Sequence, residues 1–195
     1  MNSNFEIGSN QVQGNGRAGI FLTGEGSSNT LENITIQFNA VKGNSNEGIL
    51  VFGGRIQDTD HAAIINILLN GNEVSNNGGQ GIRADLSSGV GNVINFARIA
   101  NNVTKNNGDH GIRILSGIDG NGATPFSGNS SSLNVRDGIN LNGTAGYVLT
   151  GNRARNNGRY GIRAGAGNTN GGGNISRNND DPFCDRPEGG CFFDF

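Results

Sequence analysis

The chain has 195 residues, a formal net charge of −2 at pH 7, 35 Gly, 3 Pro and no Trp. That length fits one domain with a substantial core, and Gly at this level without a strict Gly-X-Y period excludes collagen. An acidic chain with few aromatics argues against nucleic acid, and no apolar run is long enough to cross a membrane as a helix.

The chain enters a repeat almost at once. Ile7, Asn10, Val12, Asn15 and Gly19-Ile20-Phe21-Leu22 set the order of the first unit. Gly-Ile then returns at Gly48-Ile49, Gly81-Ile82, Gly111-Ile112, Gly138-Ile139 and Gly161-Ile162. Nine positions before each Gly stands Asn: Asn10, Asn39, Asn72, Asn102, Asn129 and Asn152. Four positions before it stands Asn again: Asn15, Asn44, Asn77, Asn107, Asn134 and Asn157. Twelve positions before it the residue is always apolar (Ile7, Ile36, Leu69, Ile99, Phe126, Leu149). A small or branched column stands seven before (Val12, Val41, Val74, Thr104, Ser131, Ala154).

These spacings dictate an architecture. Ile and the residue two later point to the same side of a strand, so both face inward. The earlier columns belong to a second and a short third strand. Each unit has too few inward residues to form a core alone, so the units must stack. The two Asn columns then become ladders at turns, each amide bonding the next coil, with Asn also suited to the left-handed backbone of a corner. The Gly-to-Gly interval varies between units, which assigns one elastic connection to each. A helix is excluded because Gly and Asn interrupt every candidate 3.6-residue period. Leucine-rich repeats are excluded because several Leu per unit at fixed spacing are absent.

The pattern Ile-x-x-Asn-x-x-x-x-Asn-x-x-x-Gly-Ile-x-hydrophobic, complete for example from Ile99 to Ile114, resembles the repeat of the right-handed parallel β-helix proteins. That architecture is shared by pectate lyases, alginate epimerases and phage tailspikes. The resemblance implies an all-β, single-stranded right-handed parallel β-helix of about six coils over residues 1–180, with a C-terminal cap at 181–195. It bears on fold and is nearly silent on chemistry.

At the C-terminal end Asn174, Asn178 and Asn179 begin a seventh, partial unit, and Cys184 and Cys191 are expected to close a disulfide in the cap. Free thiols are the alternative. Phe183, Phe192, Phe193 and Phe195 are expected to cover the core. The N-terminal end lacks an apolar signal segment; it also enters the repeat without the capping element usual in the proteins it resembles, which suggests a fragment, an excised domain or a chain capped by another subunit. Its uncovered first coil suggests homo-oligomerisation through that end. The Cys pair and the resemblance point to an extracellular or cell-surface location.

Columns that do not repeat are free to serve function. The residue after each Ile reads Phe21, Leu50, Arg83, Arg113, Asn140, Arg163, and the one before each Gly reads Ala18, Glu47, Gln80, His110, Asp137, Tyr160. Residues 83–177 hold ten Arg/Lys against four Asp/Glu, a local excess of +6 that favours an anionic partner. A uronate-bearing polysaccharide fits, since guanidinium matches carboxylate in a bidentate fork. As an enzyme, a polysaccharide lyase or epimerase would use Arg113 or Arg163 on the carboxylate, His110 and Tyr160 as base and acid, and Asp137 to orient. Arg83, Asn140 and Arg163 would bind substrate. Two features of known families are missing: the acidic cluster of calcium-dependent pectate lyases and a consecutive Asp-Pro-His. A hydrolase would need a carboxylate pair, for which Asp109 with Asp137 or Asp85 with Asp109 are the candidates. The alternatives to catalysis are a non-catalytic adhesin gripping the polymer and a structural fragment of a larger protein. No organic cofactor is expected. Asp58, Asp60 and His61 form one candidate metal loop, whose oxygen ligands suit Ca²⁺ and whose His suits a transition metal.

Overall fold

The computed structural model describes residues 4–24, 30–54, 63–86 and 92–180. The expected metal loop (Asp58, Asp60, His61) and the expected cap with Cys184 and Cys191 lie outside the described residues. The described chain is all β. Its strands are β1 (Phe5–Gly8), β2 (Gln11–Gln13), β3 (Ile20–Gly24), β4 (Thr30–Glu32), β5 (Ile34–Gln37), β6 (Ala40–Lys42) and β7 (Ile49–Gly53). There follow β8 (Ala63–Asn70), β9 (Glu73–Ser75), β10 (Ile82–Leu86), β11 (Val93–Ala100), β12 (Val103–Lys105), β13 (Ile112–Ile114) and β14 (Thr124–Ser127). The last are β15 (Ser130–Ser132), β16 (Ile139–Leu141), β17 (Tyr147–Thr150), β18 (Arg153–Arg155), β19 (Ile162–Ala164), β20 (Thr169–Asn170) and β21 (Ile175–Arg177).

These strands sort into three parallel sheets, so the fold is a parallel β-solenoid. One sheet runs β1-β5-β8-β11-β14-β17-β20, with β4 also on β8. A second, of short strands, runs β2-β6-β9-β12-β15-β18-β21. The third, carrying Gly-Ile, runs β3-β7-β10-β13-β16-β19. The registers are those the spacings require. Ile7, Ile36, Leu69, Ile99, Phe126 and Leu149 are consecutive partners in the first sheet. Val12, Val41, Val74, Thr104, Ser131 and Ala154 are consecutive partners in the second. The six Gly-linked Ile are consecutive partners in the third. These columns form one continuous core, in which Val41, Val74, Ile49, Ile112 and Leu69 are fully buried.

Both Asn columns are ladders, and both extend into the seventh unit through Asn174 and Asn179. In each step the backbone N–H and the Nδ2–H of one Asn donate to Oδ1 of the next. Asn102, for example, gives both bonds to Asn129 at 3.0 and 3.1 Å. Asn107 does the same to Asn134 at 3.1 and 3.0 Å. The left-handed backbone, however, falls one residue before each ladder Asn rather than on it. One corner column holds Ser9, Phe38, Gly71, Asn101, Gly128 and Gly151, and the other holds Gly14, Gly43, Asn76, Asn106, Leu133 and Asn156, all at φ between 54° and 68°. The ladder Asn must aim its amide along the solenoid axis, so its predecessor makes the corner. Gly is required before Ile for a different reason: a Cβ at Gly111 would collide with Ser131 Oγ, Thr104 Oγ1 and the Gly138 carbonyl of the next coil.

Candidate functional site

The outward column of the Gly-Ile sheet is set by strand alternation. With Ile inward, the next residue must face out. Phe21, Leu50, Arg83, Arg113, Asn140 and Arg163 are therefore consecutive partners. The column before the Gly also stacks, because the Gly N–H of one coil donates to its carbonyl in the next: Gly81 to His110 at 3.0 Å, Gly111 to Asp137 at 3.0 Å and Gly138 to Tyr160 at 2.8 Å. His110, Asp137 and Tyr160 are thus brought together on successive coils.

The column turns inward more than its polarity suggests. His110 is only 2% exposed and Asp137 is fully buried. Two groups of Asp137 face the same nitrogen of His110. Its N–H donates to Nδ1 at 3.2 Å, while its carboxylate Oδ2 lies 3.2 Å from that Nδ1 and needs a proton there. The other ring nitrogen, Nε2, lies 3.5 Å from Asp109 Oδ1. Asp137 also accepts from the Asn140 amide, and from the Tyr160 N–H at 3.3 Å. Burial pushes the Asp137 carboxyl up, but the hydrogen bond and charge of His110, the Tyr160 N–H and the Asn140 amide together outweigh it. They hold the group below the ordinary carboxylate range.

Above this buried pair lies an open cleft of about 200 Å³, lined by His110, Arg113, Arg136, Asn140, Arg159 and Arg163 among others. Four guanidiniums therefore border one opening. Arg136 Nε lies 3.4 Å from Asp109 Oδ1, and Arg159 Nε lies 4.0 Å from Asp137 Oδ1. The Arg159 and Arg163 guanidiniums sit over the Tyr160 ring at 4.7 and 5.2 Å from its centroid, within cation–π range. Asp109 Oδ1 is buried and accepts no hydrogen bond, although its partner oxygen takes one from Gln80 Nε2 at 2.8 Å.

Of the residues expected to act together, His110, Arg113, Asn140 and Arg163 line the cleft, Tyr160 supports its arginines and Asp137 lies beneath. Arg83 sits apart. Its guanidinium pairs with Glu47 at 3.1 Å and with Asp85, which commits it and Asp85 to each other. Asp109 and Asp137 converge on one imidazole rather than facing each other across a substrate. Arg136 and Arg159 were not among the expected residues. They occupy the column two before the Gly (Arg17, Asn46, Gly79, Asp109, Arg136, Arg159), and registering that column would have exposed them. Among the described residues no group of three or more His, Cys, Asp or Glu is placed to hold a metal. Comparison with family models, curated proteins and solved structures finds no match.

Proposed function

We propose that this solenoid is a non-catalytic module that grips an anionic polysaccharide along its Gly-Ile sheet. The observation that carries this reading is the convergence of Arg113, Arg136, Arg159 and Arg163 on one cleft beside Asn140 and Asn142. Guanidinium forks suit the carboxylate or sulfate groups of such a chain. Coils about 4.8 Å apart offer a binding group at each step along the axis, a spacing close to the length of one extended sugar unit. Catalysis is disfavoured because the expected base and its orienting acid, His110 and Asp137, are turned inward and engaged with each other. Such a ligand would fit an extracellular or cell-surface location.

A panel of charged and neutral polysaccharides tests the reading, with pull-down for binding and ultraviolet absorbance for unsaturated uronate product. The expected result is binding to anionic members without absorbance growth, weakened about tenfold in Arg113→Ala, as loss of a charged hydrogen bond predicts. Absorbance growth that disappears in His110→Ala and Tyr160→Phe would replace this reading with a lyase. Neither signal would leave a structural solenoid.

A further inference from the structure

Eight of the ten cations of residues 83–177 fall into two groups. Arg113, Arg136, Arg159 and Arg163 border the cleft. Lys105, Arg153, Arg155 and Arg177 stand on the outward face of the second sheet, because alternation turns Thr104, Ala154 and Ser176 inward. Lys105, Ser132, Arg155 and Arg177 are consecutive partners, and Ser130 pairs with Arg153 beside them. All four cations are exposed. Among the described residues no carboxylate forms an ion pair with any of them. The four acids of the same stretch are engaged elsewhere: Asp85 pairs with Arg83, Asp109 and Asp137 converge on His110, and Asp119 accepts the Ala145 N–H at 2.8 Å. Glu73, on the same face, is three coils from Arg153, or about 14 Å.

The two groups meet across a single turn. From β18 the chain runs through Asn156, Asn157 and Gly158 to Arg159, and on to Arg163 in β19. One coil therefore presents Arg153, Arg155, Arg159 and Arg163 in sequence. In the turn between them Asn157 is buried in its ladder and Gly158 has no side chain, so only Asn156 reaches solvent there. Along the axis the cleft leads instead to the compensated Arg83 and then to the apolar Phe21 and Phe52. We infer that the second-sheet face around Lys105, Arg153, Arg155 and Arg177 is a further binding subsite, and that a polyanion held in the cleft continues over the turn at Gly158 onto it. The inference rests on the proposal that the cleft binds such a polymer, and it narrows the class: the ligand carries charge on successive units and is long enough to reach both faces. Ser130 and Ser132 supply hydroxyls between the cations for the polymer's own hydroxyls. Linked subsites raise affinity without either being tight alone, whereas a short oligomer fills only the cleft. One carboxylate opposes the crossing. Asp180 follows Gly158 in the same turn column, one coil further on, and is exposed.

The test is calorimetric titration of the purified chain with galacturonate and heparin oligomers, each as a short form (a trisaccharide or tetrasaccharide) and as a dodecasaccharide. Expected is tighter binding of the long form, with the long-to-short ratio cut about three- to tenfold in the double variant Arg153→Gln/Arg155→Gln and raised in Asp180→Asn. The statistical advantage of a longer chain survives in the variants and so does not imitate this result. Arg98→Gln, which removes an exposed cation of the first sheet, should leave the ratio unchanged. In the unaltered chain, the dodecasaccharide should protect Arg153, Arg155 and Arg177 from phenylglyoxal and the short form should not, so the test stands if a variant fails to fold. A ratio unchanged in the double variant, with Arg113→Ala still weakening both forms, overturns this inference and leaves the cleft reading standing. A loss matched by Arg98→Gln marks a general effect of net charge and overturns it as well. Binding of phosphatidylglycerol vesicles that needs Arg153 and Arg155, without any dependence on oligomer length, would assign the face to a lipid surface instead. No binding of any oligomer removes both proposals.

Discussion

Replacing Asn129 by Ala removes one rung from the middle of a ladder, and the structure sets the size of the effect. The side chain accepts the N–H and Nδ2–H of Asn102 at 3.0 and 3.1 Å and donates to the Ile99 carbonyl at 3.1 Å and to Asn152 Oδ1 at 3.0 Å. All four bonds are buried. At a net value of about 1 kcal/mol each the loss is about 4 kcal/mol, with the Asn102 N–H deprived of its acceptor inside the core. The matched control is Asn10→Ala at the exposed end, where the side chain donates a single bond to Asn39 Oδ1 at 3.0 Å. That change is expected to cost less than about 1 kcal/mol. Equilibrium urea unfolding reads the difference. With a slope of about 2–3 kcal/mol per molar, the Asn129→Ala midpoint falls by roughly 1.5 M. Coincident fluorescence and circular dichroism transitions would license the two-state treatment, which solenoids do not always obey. Asn129→Asp sharpens the logic, since it keeps the acceptor but sets a charged oxygen against the Ile99 carbonyl and Asn152 Oδ1. It should destabilise at neutral pH and recover in part on acidification. If Asn129→Ala and Asn10→Ala agree within about 1 kcal/mol, the ladder does not hold the coils together and this account is wrong.

Three further outcomes follow from the same geometry. Gly111→Ala sets a methyl against Ser131 Oγ, Thr104 Oγ1 and the Gly138 carbonyl; it should destabilise by more than about 3 kcal/mol or abolish soluble expression, measured by yield and urea titration. Leu133 stands at φ 56° and is 47% exposed, so Leu133→Asn should stabilise by about 1 kcal/mol in the same titration, and a loss would contradict the strain assigned to that corner. The folded-state pKa of Asp137 lies below its unfolded value, so its contribution is complete above the ordinary carboxylate range and is lost as pH falls through the lower, folded-state value. Asp137→Asn should therefore be less stable at neutral pH and flatter in its acid unfolding profile below about pH 4, as followed by circular dichroism.

How much of this was legible in the sequence depends on how each feature is encoded. The three sheets and both ladders are written at fixed distances from one Gly, because a stacked column tolerates few alternatives: Asn129 must accept from Asn102 and donate to Ile99 and Asn152, which takes an amide. The corners were misplaced by one residue because their requirement is a backbone angle, which Ser9, Phe38, Asn101 and Leu133 all meet despite sharing no side-chain chemistry. The inward turn of His110 and Asp137 was hidden for a related reason. The residue before the Gly lies at the junction of turn and strand, where alternation gives no rule, and Tyr160 in the same column stays half-buried. Arg136 and Arg159 were overlooked because their column, two before the Gly, mixes Arg with Asn, Gly and Asp and so does not announce itself as a repeat.

That last difficulty also explains where chemistry can reside in this fold. A solenoid coil touches only its neighbours, so an inward or ladder position is constrained by the coils on both sides, while an outward position can change without disturbing any other coil. The outward column of the Gly-Ile sheet shows the result. At one end Phe21 packs against Phe52, with ring centroids 6.5 Å apart. Next, Arg83 is neutralised by Glu47 and Asp85. Beyond it the column opens into the cleft with Arg113, Asn140 and Arg163. Such a gradient from apolar through compensated to cationic cannot come from the stacking requirement, which is identical in every coil. Stacking needs only that the next residue inward be Ile. The cluster of cations on an otherwise uniform scaffold is therefore the feature the fold itself does not require, and the face on which the proposed binding should be sought first.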